Sequence, residues 1–509
     1  MAGIYSDRTC VGKKIQANPF EPQPHQIETR DAFMASKYKG MELYHRLGSG
    51  KTCTSIMIAD AMLEAGKIKH VYVLSPGSLR EGWVREFCSV CGADRKLISN
   101  DYTFITYNYN VGDRLPDFSD SLVIIDEAHN LMAGLRNKAK TAVQIYMKIL
   151  TSNCRVLALS GTPISASLDE WPFMGNMLKP GTFRGEESFK DNWEKDAEFD
   201  QKIAGIISYF PGSGEEFYPK VIFRDPIKVM MSPIQERKYY DAVIFENMYS
   251  QPPPDRLRFL KPKEYYFKRK MFILSKKRII TRRISNFMYP DGVIPRQTIR
   301  EEESDGVPDA LVADGGWLDC GQFDDRKLVE YSSKFVAVLL NIIINPDQKH
   351  VIFTFFKTRS GAYLLKGFFD MIGISSEIFS GDLSDSTRKS LLMRFNNVNN
   401  RYGEKIRVMI VTEAGAEGIT ILEARHMHII ESSPKESLIS QAIGRIVRFK
   451  SHFDMPKDEQ NVTIWRYWSS IGPKLFPAID EKLYLRGQEQ QKERDYFLKH
   501  LQEASVTSI

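Results

Sequence analysis

A chain of 509 residues has room for about three domains of ordinary size and several buried cores. With 42% apolar and 26% charged residues it has the composition of a soluble globular protein, and without repeats or low-complexity tracts it excludes solenoid architectures. The net charge of +6 tilts toward anionic partners, but 70 basic against 64 acidic residues is too even a balance to identify one.

The N-terminal MAGIYSDRTC lacks an apolar signal core, and the longest apolar run, Val336 to Ile344, is far short of the roughly 20 residues of a membrane span. No secretion or membrane signal is readable. The first regular elements are a short strand over Gly40 to Tyr44 and a helix over Cys53 to Gly66, whose apolar face carries Ile56, Ala59 and Met62. Between them lies HRLGSGKT, His45 to Thr52. Strand, glycine-bearing loop and helix form the context of a phosphate-binding loop. In such a loop the backbone at Gly48, Ser49 and Gly50 wraps the phosphates, while Lys51 and Thr52 reach phosphate and Mg²⁺. The usual leading glycine is replaced by His45.

Further strands follow in HVYVLSP, TFITY, SLVIIDEAH and RVLALSGTP, each ending where polar residues begin, as in a parallel sheet that binds ligands at its carboxyl edge. Asp126 and Glu127 end the third of these. Behind a phosphate loop, such a pair supplies one carboxylate for Mg²⁺ and one to position the attacking water. His129 is placed to link the nucleotide to a second site, or serves as a structural histidine. Ser160 and Thr162 offer hydroxyls at the next strand end, where a plain turn around Gly161 and Pro163 is the simpler reading. Six scattered cysteines suggest reduced thiols, and Cys88-x-x-Cys91, without a second ligand pair, reads as two thiols near a helix end.

From Arg256 to Arg283 basic residues, among them Lys268, Arg269 and Lys270, face a single acid, Glu264, with Phe259, Tyr265, Tyr266, Phe267 and Phe272 interleaved. This is the composition of a nucleic-acid surface, or of a solvated helix face whose aromatics are core. The acidic, glycine-bearing stretch Glu301 to Asp325 reads as a linker. A second α/β series then runs through helix Asp325 to Asn345, strand HVIFTFF, helix Thr358 to Gly373, strand SEIF, helix Ser384 to Asn396, strands IRVMIVT and MHIIES, helix Lys435 to Val447 and strand VTIWRYW. In QAIGRIVR, Gln441 to Arg448, the spacing predicts Arg445 and Arg448 on one helix face. A supplied arginine stabilises the charge of an ATPase transition state. The segment Ile479 to Ala504 reads as a charged helix that either packs on its own domain or recruits a partner.

Taken in order, HRLGSGKT, VIIDEAH, ALSGTPI and QAIGRIVR resemble motifs I, II (in its DEAH form), III and VI of the superfamily 2 helicases and translocases, whose motif I does not insist on a leading glycine. PHQIE resembles the segment whose glutamine, here Gln26, reads adenine. LSPGSLREGWVREF, FITY, FTFF and VTEAGAEGITI resemble motifs Ia, Ib, IV and V. PGSLREGWVREF, SGTPI and SGDLSDSTRKSLLMRFN are also similar to SWI/SNF-type remodelling ATPases. RRISNFMYP and GRIVRFKSH are similar to the transcription ATPases of poxviruses and asfarviruses.

The resemblance implies an α/β protein with two RecA-like parallel-sheet domains, at 1–225 and 326–509, around a basic helical insertion and linker at 226–325. It implies ATP and Mg²⁺ as cofactors. Lys51 would contact the phosphates, Thr52 and Asp126 the metal and Glu127 the water; Gln441, Arg445 and Arg448 would complete catalysis from the second domain. His129, Ser160, Thr162 and Gly418 would couple the sites, and Pro76, Thr106, Thr354 and Thr412 would hold a nucleic-acid backbone, RNA or DNA, with little sequence reading. Three activities fit: a helicase, a double-stranded DNA translocase that does not unwind, and an ATP-switched promoter-binding transcription factor. Viral RNA polymerase or transcription factors are the implied protein partners, and viral replication sites in the host cytoplasm, with packaging in the virion, the implied location.

Overall fold

The computed structural model describes residues 21–46, 48–76, 83, 86, 91, 101–106, 115–164, 167–183, 189–212, 214–288, 328–357, 360–415, 419–433, 435–472 and 476–507, with short strands at 4–5, 294–295 and 312–313. The chain forms two compact units, Met1–Phe217 together with Glu489–Ile509, and Tyr218–Gln488. Most of the acidic stretch read as a linker lies outside the described residues. Among the described residues, no helix is long and apolar enough to cross a membrane.

The first unit is built on a seven-stranded sheet of order β1-β4-β3-β5-β6-β2-β7. Its strands are β1 (Ile4–Tyr5), β2 (Gly40–His45), β3 (His70–Ser75), β4 (Tyr102–Thr106), β5 (Ser121–Asp126), β6 (Arg155–Ser160) and β7 (Ile207–Phe210). All neighbours run parallel except β1 against β4. Continuous apolar runs such as LVII in β5 suit strands covered on both faces, and an apolar core lies on each side of the sheet. Helices α1 (Pro24–Ala35) and α2 (Lys51–Glu64) pack on one face, and α3 (Ala128–Arg136), α4 (Lys140–Thr151) and α5 (Trp171–Leu178) on the other. Register pairs Asp126 with Leu159 and Tyr44 with Ser160, so β5, β6 and β2 end side by side.

The C-terminal helix is the element whose packing the sequence left open. From Glu489 onward it belongs to the first unit, where Phe497 and Leu501 are fully buried in the core. Phe497 meets Trp193 edge-on at 5.0 Å and Trp171 at 5.6 Å. Beyond the helix, the N–H of Val506 donates to the carbonyl of Ile207 in β7 at 2.9 Å.

The second unit carries an eight-stranded sheet. Its members are β8 (Lys220–Phe223), β9 (Ile227–Met230), β10 (Lys349–Thr354), β11 (Ser376–Phe379), β12 (Val408–Thr412), β13 (Ala424–Ile429), β14 (Asn461–Ile471) and β15 (Phe476–Pro477). The order is β11-β12-β10-β13-β14-β15, with β8 and β9 both pairing β14. Residues 220–230, which straddle the division drawn at 225 from sequence, thus lie wholly in the second sheet. The long helix expected over Asp325–Asn345 is described from 328, as a turn and then α9 (Ser333–Ile343), where Ser332 caps the N–H of Phe335. The basic segment lies largely in α7 (Pro262–Lys276) and α8 (Ile279–Asn286). Together with α6 (Pro233–Met248) these helices enclose a core of Tyr239, Ala242, Phe245, Met271 and Ile284 shared with Ile471 and Ala478, so this segment folds into the second unit.

Three histidines are stacked inside that sheet. His350 Nδ1 pairs with His428 Nε2 at 3.0 Å, and His428 Nδ1 with the Tyr467 hydroxyl at 2.8 Å. The Trp465 indole N–H donates to His426 Nδ1 at 3.0 Å. Burial pushes His350 down to about 4 and His426 down to about 3, and holds His428 well below the usual range. Unfolded histidines take up protons near pH 6.5, so their contribution is complete above that pH and is lost as pH falls toward 4. At pH 5 His350 and His426 should each have cost about 2 kcal/mol. Urea midpoints of the second unit are expected to drop steeply between pH 7.5 and 5, and a flat profile would contradict the arrangement.

Candidate nucleotide site

β2 delivers His45 to the start of the loop. Its buried imidazole Nε2 meets Ser208 Oγ of β7 at 2.8 Å, and the same hydroxyl meets Thr29 Oγ1 of α1 at 2.9 Å. The residue that replaces the customary glycine therefore ties the loop to two neighbouring elements. His25 stacks on Phe210 at 3.6 Å and its Nε2 reaches the Ser49 carbonyl at 3.1 Å. Burial lowers the pKa of both histidines, and the Lys51 ammonium adds to the effect at His45. The sequence did not single out His25, Phe210 or Ser208.

Gly48 and Gly50 have φ of +84° and +81°, in the left-handed region open to glycine. A Cβ at Gly50 would stand 2.7 Å from Gln26 Nε2. Gln26 is buried; its amide N–H donates to the Gly50 carbonyl at 3.2 Å and its Oε1 accepts from Gln23 N–H at 2.9 Å. It holds the loop as well as lying beside it. Helix α2 starts at Lys51, two residues before the expected start, because Gly50 in its left-handed conformation forms the cap. The Lys51 ammonium donates to the carbonyls of His45 at 2.8 Å and Arg46 at 3.3 Å, inside the curve of the loop. Thr52, next on the helix, is half-buried.

At the end of β5, Asp126 receives two hydrogen bonds, from the Trp83 indole at 2.8 Å and from the Glu127 backbone N–H at 3.0 Å. Burial, reinforced by the Glu127 carboxylate, pushes Asp126 up to about 7. A divalent cation would relieve that cost, and the Asp126 carboxylate with the Thr52 hydroxyl offers the hard oxygen donors that Mg²⁺ takes beside substrate oxygens. Among the described residues no group of three or more His, Cys, Asp or Glu could hold a metal ion by itself. Glu127 has φ of +49°, a strained value for a residue with a side chain. Its Oε2 lies 3.5 Å from His129 Nδ1, which is 3.0 Å from Ser160 Oγ; Ser160 in turn accepts from the Thr162 N–H at 3.0 Å. The structure thus brings Glu127, His129, Ser160 and Thr162 into one chain across the ends of β5 and β6.

The thiol expectation is corrected here. Cys53 and Cys91 form a disulfide, their Cα atoms 5.2 Å apart, because the buried face of α2 lies against the Cys91 segment. The partner of Cys91 is therefore not its sequence neighbour Cys88.

In the second unit, α10 (Glu436–Ile443) stops four residues short of the expected end, with Gly444 as its cap. Arg445 and Arg448 follow in the turns beyond it, not on one helix face. The N–H of Ile421 donates to the Arg445 carbonyl at 2.9 Å, and the Arg448 guanidinium donates to Thr420 Oγ1. Gln441 is half-buried in the last turn of α10. Gly418 lies outside the described residues.

The strand-end positions expected to hold a nucleic-acid backbone are buried. Thr354 is fully buried and its hydroxyl donates to Glu431 at 2.7 Å. Pro76, Thr106 and Thr412 are buried as well. On α7, Arg269 is exposed and Lys270 half-exposed, while Lys268 pairs with Glu264 at 2.7 Å. Of the interleaved aromatics, Tyr265 is buried, whereas Phe259 is 83% and Tyr266 54% exposed.

Residues 19–165 match the family described as type III restriction enzyme, res subunit, and residues 334–450 match the helicase conserved C-terminal domain. A protein of Acanthamoeba polyphaga mimivirus, R563, named as an ATP-dependent RNA helicase, is 24% identical over 91% of this chain and 85% of its own. A second mimivirus protein of the same description, R350, is 25% identical over 84% of this chain and 66% of its own. A termination factor NPH-I homolog of African swine fever virus is 24% identical over 92% of this chain and 76% of its own. The SWI2/SNF2 ATPase core of Sulfolobus solfataricus, solved with double-stranded DNA, aligns over 97% of this chain and 99% of its own at 17% identity, with a TM-score of 0.36 that is too low to bear on function. The two family matches cover the stretches that hold the phosphate loop with the acid pair and the paired arginines, and the chain belongs to the superfamily 2 ATP-dependent helicases.

Proposed function

We propose that this chain hydrolyses ATP with Mg²⁺ to move along or unwind nucleic acid during viral transcription. The observation that carries the reading is the meeting, at adjacent strand ends, of the Gly48–Thr52 loop with the Asp126–Glu127 pair and its His129–Ser160 relay. The backbone of Gly48, Ser49 and Gly50 and the Lys51 ammonium hold the phosphates, and Gln26 reads adenine while bracing the loop. Thr52 and Asp126 hold Mg²⁺, which when bound neutralises phosphate charge. Glu127 orients the attacking water and accepts its proton. His129, Ser160 and Thr162, with Gly418, pass the state of Glu127 to the strand ends. Arg448, with Arg445 and Gln441, stabilises the transition state from the second unit. The exposed face of α7 grips the nucleic-acid backbone through Arg269 and Lys270, with Lys268 freed from Glu264. Viral replication sites in the host cytoplasm and the virion, beside the viral RNA polymerase or its factors, belong to the same proposal, which draws on similarity to viral proteins, one of them named a termination factor homolog.

The test is steady-state ATP hydrolysis alone and with single-stranded DNA, double-stranded DNA or single-stranded RNA at low salt. Stimulation is expected, and the best activator names the track. Strand displacement separates a helicase from a translocase, and tight site-specific binding would mark a promoter switch. A flat rate with every nucleic acid would remove the motor reading. Binding should weaken steeply with salt, and changing Lys268, Arg269 and Lys270 to Ala should reduce the log–log salt slope by roughly 2. An unchanged slope would clear α7 of the role.

A further inference from the structure

Two cysteines that no helicase motif claims border the nucleotide site. Cys53 follows Thr52 directly in the first turn of α2, and the disulfide carries it to Cys91, 38 positions on. Both are buried. The N–H of Cys91 donates to the carbonyl of Glu86 at 2.9 Å, which fastens it to the stretch that also holds Trp83. Trp83 is buried, edge-on to Phe104 of β4 at 6.3 Å, and its indole holds Asp126. The cross-link therefore joins two pieces of chain that border the site: the helix start with Lys51 and Thr52, and the residues around Trp83, whose indole holds Asp126. Cys154, the other thiol among the described residues, is buried and free, and takes no part.

We infer that the Cys53–Cys91 pair is a redox latch on the nucleotide site. Oxidised, it keeps Trp83 and the start of α2 in register; reduced, it lets them separate and nucleotide binding weakens. The inference rests on the reading of residues 45–52 and 126–127 as a nucleotide site. The chemistry is thiol–disulfide exchange with a dithiol reductant. One thiolate of the reductant attacks one sulfur and forms a mixed disulfide; its second thiolate then displaces the protein sulfur. Cys53 and Cys91 leave as thiols, and the dithiol, having given two electrons and two protons, ends as its own disulfide. Because both sulfurs are buried, exchange requires local opening, so a nucleotide that binds only the closed site slows reduction.

The experiment uses the full chain, oxidised or reduced with dithiothreitol, and reads the affinity for a fluorescent ATP analogue without hydrolysis, with alkylation and peptide mapping of the thiols. The oxidised protein is expected to yield a linked peptide containing Cys53 and Cys91 and to bind the analogue about tenfold more tightly, as loss of preorganisation predicts. Cys53→Ser and Cys91→Ser should bind as reduced wild type does under both conditions, whereas Cys88→Ser and Cys154→Ser keep the response. Reduced wild type supplies the same comparison without mutation should a variant fold poorly. Equal affinity in both states, with the linked peptide present, overturns the latch; so does full alkylation of Cys53 in oxidised protein. Affinity that follows redox state in a protein that hydrolyses no ATP would sink the motor reading and leave the latch standing.

Discussion

Glu127→Gln is expected to bind ATP and to hydrolyse it at least about 10³-fold more slowly, since the amide keeps the shape of the side chain but cannot accept the proton of the attacking water. The geometry sharpens this expectation. Glu127 sits at a strained φ of +49° directly after Asp126, and its carboxylate is 3.5 Å from His129. The exchange to Gln also removes the charge that adds to burial in raising Asp126. The readout is single-turnover hydrolysis beside equilibrium nucleotide binding. Wild-type turnover in purified Glu127→Gln would show that the water is activated elsewhere and dissolve the site assignment. Lys51→Ala should also abolish turnover, but with nucleotide affinity lost.

The largest stability effect is expected in the second unit. Lys334 of α9 is completely buried in the second unit, and its ammonium donates to Asp480 Oδ2 at 2.7 Å, Asn286 Oδ1 at 3.0 Å and the Ile430 carbonyl at 3.3 Å. Asp480, equally buried, also accepts from the Ser469 N–H at 3.1 Å. The same Asn286 donates to the Ser360 carbonyl at 2.9 Å and to Glu431. One buried ammonium thus gathers α8, α9, the end of β13 and the start of the C-terminal helix. Lys334→Met would strand the Asp480 carboxylate without its partner, which costs about 3 to 5 kcal/mol in buried pairs. Adding Asp480→Leu to Lys334→Met should restore most of that loss, because an apolar pair carries no desolvation penalty. Urea unfolding of the two variants provides the check. A loss under about 1 kcal/mol for Lys334→Met would mean that water or relaxation rescues Asp480.

What could be read beforehand was chemistry confined to a few consecutive residues. Gly48 to Thr52 and Asp126–Glu127 are legible because phosphate and metal binding dictate their spacing and each ends a strand. The alternating strands and helices were legible for the same local reason. What escaped was contact between distant residues. Trp83 lies 43 positions from Asp126, and nothing local to an indole announces a carboxylate partner. Cys53 and Cys91 meet only because α2 packs where it does. Thr354 looked like a strand-end hydroxyl, but Glu431 faces it across the parallel pair β10 and β13 and claims it. Arg445 and Arg448 were placed on a helix by spacing alone, and Gly444 ends that helix first. His350, His426 and His428 sit in two separate runs that read as ordinary strands, and only their pairing makes a stack.

The first unit is discontinuous, and this sets a timetable for its birth. On a ribosome, strands β1 to β7 emerge early, but Phe497 and Leu501, which fill the gap beside Trp171 and Trp193, are made about 300 residues later, some tens of seconds at ordinary synthesis speeds. For that interval the nascent unit presents an open apolar trough where the C-terminal helix will lie, a natural landing place for a holdase chaperone. Residues 1–217 produced alone would keep that trough permanently, so a separately expressed ATP-binding half should be aggregation-prone unless the segment from 489 to 507 is supplied to it in trans.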